Sequence, residues 1–226
     1  MLRASFRKEG NAVWISHLDL MRVLQRAFRR AGIDLKHSQG FTPHPELSIA
    51  LPMSVGVSSE CELADFTPAE GVVLDPAEVP ARLNPVLPEG LEVTGCWADG
   101  KKLKNLVWLE ARLTLVYDRG VPDGAAEAIL ALLDRPELVV EKHGKKGPVE
   151  VDIRPMYRDA RLTREPDPAR PDEDALTLTL LCAAQNPTLN PLLLPAAIER
   201  YAPEYRPDFT RCRRLRVLDA ELEEFR

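Results

Sequence analysis

The hydrophobic period of this chain switches between two and 3.6 in one order, and then does so again. That repetition is the tightest constraint on its fold. Residues 2–7 alternate apolar and polar, the pattern of a half-buried strand. An amphipathic helix is expected from the N-cap Ser16 to about Ala31, with Asp19 at the third helical position and Gly32 as the stop. A short strand at 35–38, a longer one within 46–66 broken near Pro52 and Gly56, a helix at 75–87 and a strand at 91–98 complete the first half. The second half repeats the order. A strand at 107–117 leads to a helix at 124–133, short strands at 138–142 and 149–153, and a hairpin of 157–164 with 175–183. A helix at 191–201 and a strand at 212–218 follow. Two successive β-α-β-β-α-β series predict an α+β fold of two ferredoxin-like halves packed together, residues 1–99 and 100–226. No residue-level repeat accompanies the repeated order. Residues 167–174, rich in Pro, Asp, Glu and Arg, are expected to form a mobile loop.

Charge is distributed unevenly. The net charge is −5, yet residues 1–46 carry eight bases against four acids. Residues 205–217 hold five arginines (Arg206, Arg211, Arg213, Arg214 and Arg216) against Asp208. Such polarity suits a polyanion or an acidic protein partner. No apolar run approaches the roughly 18 residues needed to span a bilayer, so no membrane association is expected. The N-terminal residues carry no apolar signal core, and a cytoplasmic location is expected. Cys61, Cys96, Cys182 and Cys212 are far apart and form no Cys-x-x-Cys pair, which argues for reduced thiols and against a zinc ribbon or an iron–sulfur site.

The richest chemistry lies in residues 16–45. The helix divides into an apolar face (Leu20, Val23, Leu24, Ala27, Phe28) and a basic one, where Arg22, Arg26 and Arg29 stand at i, i+4 and i+7 beside Arg30. Arginine's planar fork suits phosphate or carboxylate. The loop that follows offers Lys36, His37, Ser38, Gln39 and His44, the last stiffened by Pro43 and Pro45. Convergence of His17, His37 and His44 would make a metal site, but their spacing matches no standard motif; no metal and no cofactor are expected. Lys142, Lys145 and Lys146 form a basic, Gly-punctuated loop without the Walker pattern, and Arg154 follows with Asp152 as its possible partner. Asn190 before Pro191 reads as a helix cap. No nucleophile elbow, paired-carboxylate motif or dinucleotide fingerprint is present.

The runs Trp14-Ile15-Ser16-His17-Leu18-Asp19-Leu20-Met21-Arg22, Gln25-Arg26-Ala27, Arg29-Arg30-Ala31-Gly32, Ser38-Gln39-Gly40-Phe41, Pro43-His44-Pro45, Leu51-Pro52 and Val55-Gly56 resemble the radical-SAM-linked protein family (domain of unknown function 2344). Val151-Asp152-Ile153-Arg154-Pro155 and Asn190-Pro191 extend the resemblance over most of the chain. The chain lacks a Cys-x-x-x-Cys-x-x-Cys run and so resembles the stand-alone form of that family. The resemblance implies an accessory or substrate-binding partner of a radical-SAM enzyme, and the basic face points to RNA or a ribosome-linked substrate. The alternative is a metal-independent ribonuclease with His17 or His44 as general base. The binding residues expected are His17, Arg22, Arg26, Arg29, Arg30, Lys36, Ser38, Gln39, His44, Lys142, Lys145, Lys146 and Arg154.

Overall fold

The structure, a computed structural model, describes residues 1–98, 100–144 and 147–226. The chain forms a mixed α+β fold, mostly sheet, with four α-helices among the described residues. It divides into two compact units, residues 1–105 with 224–226, and residues 106–223.

The first unit contains β1 (Leu2–Lys8), α1 (His17–Arg30), β2 (Leu47–Ala50), β3 (Ser58–Phe66), α2 (Val79–Leu83) and β4 (Leu91–Ala98). Its strands lie in the order β4-β1-β3-β2, each antiparallel to its neighbour. Alternation puts Ala4 and Phe6 of β1 on one face. There they join Leu20, Leu24, Ala27 and Phe28 of α1, Ala64 and Phe66 of β3, and Val79 and Leu83 of α2 in one apolar core. Phe28 and Phe66 meet at a ring-centroid distance of 4.6 Å with the planes tilted by 50°. Residues 35–38, expected as a strand, contribute only isolated bridges, Leu35 to Pro68 and His37 to Pro45. The two prolines lack the N–H that a continuous ladder needs. The helix expected at 75–87 is split into 3-10 turns on either side of α2, with Pro76, Pro80 and Pro85 at successive segment starts.

On the opposite face of this sheet Arg3 is buried, 3% exposed, directly across from its register partner Asp65, 8% exposed. Arg3 Nε and Nη2 donate to the two carboxylate oxygens at 2.6 and 2.9 Å, and Nη1 donates to the Lys101 carbonyl at 2.7 Å. The Phe225 ring covers the guanidinium at 5.3 Å. The Lys101 amide in turn donates to the Arg226 carbonyl at 2.7 Å. This explains why the last three residues belong to the first unit.

The second unit contains β5 (Trp108–Val116), α3 (Ala125–Leu133), β6 (Val139–Gly144), β7 (Gly147–Asp152), β8 (Tyr157–Asp167), β9 (Arg170–Ala183), α4 (Leu193–Tyr201) and β10 (Phe209–Leu218). Within it the strand order is β10-β5-β9-β8, again antiparallel throughout, with β6 and β7 as a separate hairpin. Set aside that hairpin, and both units place their fourth, first, third and second strands side by side. Residues 167–174 are not the loop expected from composition. β8 and β9 run through them, and only Pro168 and Ala169 form the turn. The reason is Asp167, which is buried, accepts the Ala169 amide at 2.9 Å and pairs with Arg211. All four cysteines are free thiols. Burial pushes Cys96 up to about 11 and Cys212 up to about 12, so both stay protonated near neutrality.

Removing one member of the Arg3–Asp65 pair leaves a buried charge without its partner. Arg3→Met or Asp65→Asn alone is expected to cost about 3–5 kcal/mol in chemical denaturation, and the double replacement much less than the sum of the two.

Candidate functional site

α1 is built by signals legible in the sequence. The Ser16 hydroxyl accepts the Asp19 amide at 3.2 Å and donates to the Asp19 carboxylate at 2.7 Å. Arg22 reaches the other carboxylate oxygen at 2.7 Å. Together the Ser16 hydroxyl and then Arg22 hold the Asp19 carboxyl below its ordinary range. At the far end Gly32, at φ +67°, closes a Schellman motif: Ile33 N–H donates to Phe28 O at 2.9 Å and Gly32 N–H to Arg29 O at 3.1 Å. Arg82 adds donors to the carbonyls of Ala31 and Gly32. The helix is therefore fixed at both ends, with Arg22, Arg26, Arg29 and Arg30 exposed along its outer side.

The basic residues of this unit differ in what they touch. Arg3 is engaged by Asp65, Arg7 by Glu60 and Glu92, Arg22 by Asp19, and Lys36 by Glu46 at 3.4 Å. Arg26, Arg29 and Arg30 make no side-chain ion pair among the described residues. These three stand at i, i+3 and i+4, neighbours on one helical turn. The second basic run behaves differently. Arg206 pairs with Glu199, Arg211 with Asp167, and Arg216 with its cross-strand partner Glu110 at 2.7 Å. Three of the five arginines of that run thus find an acid within the second unit.

The loop from Lys36 to Pro45 is stapled by Ser38. Its hydroxyl accepts the His44 amide at 3.2 Å and lies 2.9 Å from His44 Nδ1, while Ser38 N–H donates to the His44 carbonyl at 2.9 Å. The Thr42 carbonyl lies 3.4 Å from the same Nδ1. His37 Nδ1 donates to the Leu35 carbonyl at 3.0 Å. Gln39 is exposed at the tip beside Phe41, which is fully exposed. His44 also borders a cavity of about 260 Å³ with Glu46, Ser48, Asp65 and Thr67. Both of its carboxylates are already paired, Glu46 with Lys36 and Asp65 with Arg3. The cavity therefore offers no free carboxylate for a cation.

The three histidines do not converge. His17 opens α1 at the end of the sheet where β1 finishes, close to Val13, whose carbonyl accepts the Gly56 amide. His44 precedes β2 at the other end, where Leu2 and Leu47 both pair with Phe66. The 14-residue helix between these ends rises about 21 Å. That span keeps His17 and His44 from sharing one metal ion. Among the described residues no group of three or more His, Cys, Asp or Glu side chains is disposed to hold a metal. His17 Nδ1 is buried and has no hydrogen-bond partner.

Lys142 and Arg154 belong to the second unit. Lys142 is exposed on β6. Arg154 lies in a 3-10 turn, donates from Nε to the Arg135 carbonyl at 3.1 Å and covers Tyr157. Asp152 does not pair with the Arg154 side chain; it accepts the amides of Leu138 and Arg154 at 2.8 and 3.0 Å, closing the turn. Lys145 and Lys146 lie outside the described residues. Sequence reasoning left Trp14 out of the site. Its indole is 66% exposed, one residue before the segment that caps α1. Its six-membered ring packs against Gly56. No helix among the described residues is long and apolar enough to cross a membrane.

Ser38→Ala removes the staple. It is expected to cost about 1 kcal/mol of stability and to speed hydrogen exchange at the His44 amide, read by exchange mass spectrometry, while exchange in α1 stays as in the parent protein.

No curated protein matches the chain. A solved structure of an unknown protein from Galdieria sulphuraria is 11% identical, with 94% of this chain and 96% of that chain covered and a TM-score of 0.26. The sequence profile of a bacterial family matches residues 1–191, which include α1, its arginines and the Ser38–His44 loop. The chain belongs to that family, described as uncharacterized protein conserved in bacteria (DUF2344).

Proposed function

We propose that this chain is a non-catalytic binding subunit that engages RNA, or a ribosome-linked substrate, through the outer face of α1 and presents it to a radical-SAM enzyme. One observation carries the polyanion reading. Among the bases of residues 1–46, Arg26, Arg29 and Arg30 alone combine exposure, close spacing and the absence of an ion pair among the described residues. An arginine cluster on one turn of a rigid helix suits phosphate, because each planar fork donates two parallel hydrogen bonds. The cost of desolvating such a cluster favours a highly charged ligand over a neutral one. The strand order shared by the two units supports reading each as ferredoxin-like, an architecture that leaves a helical face free for a partner. The radical-SAM partner rests on the family resemblance of the motif at residues 14–45.

A titration of labelled RNA against salt tests the reading. Affinity is expected to fall steeply with salt, and replacing Arg26, Arg29 and Arg30 together with Ala should lower the slope of log K against log salt by about 2 for a single strand. Binding that is absent, or that is insensitive to salt, contradicts it. Co-purification with the radical-SAM protein tests the partner separately.

A further inference from the structure

Trp14 is a large apolar side chain left 66% exposed, yet its position is built rather than free. Its six-membered ring lies over Gly56, where an added Cβ would come within 3.3 Å of Cζ3. Gly56 has φ +85°, a backbone region that glycine occupies without strain, and its amide donates to the Val13 carbonyl at 2.9 Å. The loop after β2 is thus tied to the residue preceding the indole, and glycine is what lets the ring settle there. Leu18, 67% exposed, begins the outer face of the helix. At 100° per residue, Leu18, Arg22 and Arg29 fall within about 40° of one another, with Arg26 alongside. The apolar end of this face therefore runs directly into its arginines.

We propose that Trp14 and the arginine stripe of α1 form one binding track for single-stranded RNA, with an unpaired base stacked on the indole and the phosphates held by Arg26, Arg29 and Arg30. This rests on the RNA reading above and narrows it. Charge and shape together favour a nucleic acid for the exposed indole: an uncharged apolar surface would cover an arginine row without supplying counter-charge, whereas a nucleic acid strand supplies a flat apolar face and a row of phosphates together. Strandedness follows from stacking. Along an A-form duplex the base faces are covered by their neighbours, so away from the helix ends only an unpaired base can lie on an indole.

The test uses the full chain, a single-stranded oligouridine and a blunt RNA duplex of equal length. The parent protein should prefer the single strand, with quenching of Trp14 emission. Trp14→Ala should weaken single-strand binding about tenfold. It should leave duplex affinity and the salt slope unchanged, and Trp14→Phe should restore most of the loss. Circular dichroism confirms that both variants fold. If Trp14→Ala binds the single strand as the parent does, while the triple arginine variant loses its salt slope, the track is overturned and the RNA reading stands. If the parent binds neither RNA, both fail. Protection of Trp14 by the radical-SAM protein without any RNA binding assigns the patch to a protein contact and overturns the proposal.

Discussion

The burial of one face of α1 against the sheet is the constraint on which the first unit depends. Leu20, Leu24 and Phe28 are each almost fully buried, and Phe28 locks against Phe66 of β3. Each such side chain contributes about 1.5–3 kcal/mol over leaving it exposed. Turning the helix by one residue, about 100°, would expose part of that face and press arginines onto the apolar core. No surface interaction of Arg22 or its neighbours approaches the size of that penalty, since exposed ion pairs contribute about 1 kcal/mol or less. Core packing therefore sets the rotation of the helix, and the rotation sets which residues face outward. The arginine stripe is a consequence of where the leucines must go.

The rest of the unit holds that helix in place from its ends and from beneath. Ser16 and Asp19 fix the start, and Gly32 with Arg82 fixes the finish. On the far face of the sheet the Arg3–Asp65 pair joins β1 to β3 at the register that also aligns Leu2 with Phe66. A slip of one residue would move Phe6 to the wrong face and separate the buried charges at once, so the pair and the core enforce the same alignment. The contrast with the second unit is instructive. Arg211 and Arg216 of its arginine-rich strand β10 pair with Asp167 and Glu110, whereas Arg26, Arg29 and Arg30 make no side-chain ion pair among the described residues. Sequence proximity of bases marked both stretches, and only their surroundings separate a structural role from an available surface.

Much of this was legible in the chain itself. The N-cap at Ser16, the stop at Gly32, the split of α1 into two faces and the span of β4 all follow from local rules that packing did not override. What escaped were interactions across long sequence separations. Nothing near Asp167 announces that Arg211 will bury it, so its polar, proline-rich surroundings read as a loop when they are a hairpin turn. Whether His17 and His44 meet could not be read from a separation of 27 positions; the helix that lies between them holds them at opposite ends. Trp14 escaped for the opposite reason: an aromatic residue beside a helix start reads as core, whereas here it is 66% exposed and rests on Gly56, a contact across 42 positions.

The claim that the outer face of α1 is a nucleic acid surface is tested most directly by locating the ligand on the protein. Photo-crosslinking of an oligonucleotide carrying 4-thiouridine, followed by peptide mass spectrometry, would identify the residues it touches. The account predicts adducts on peptides containing Trp14 and residues 22–30, suppressed by competing unlabelled strand. Adducts confined to residues 106–223, or none above those on an unrelated acidic protein, would contradict it.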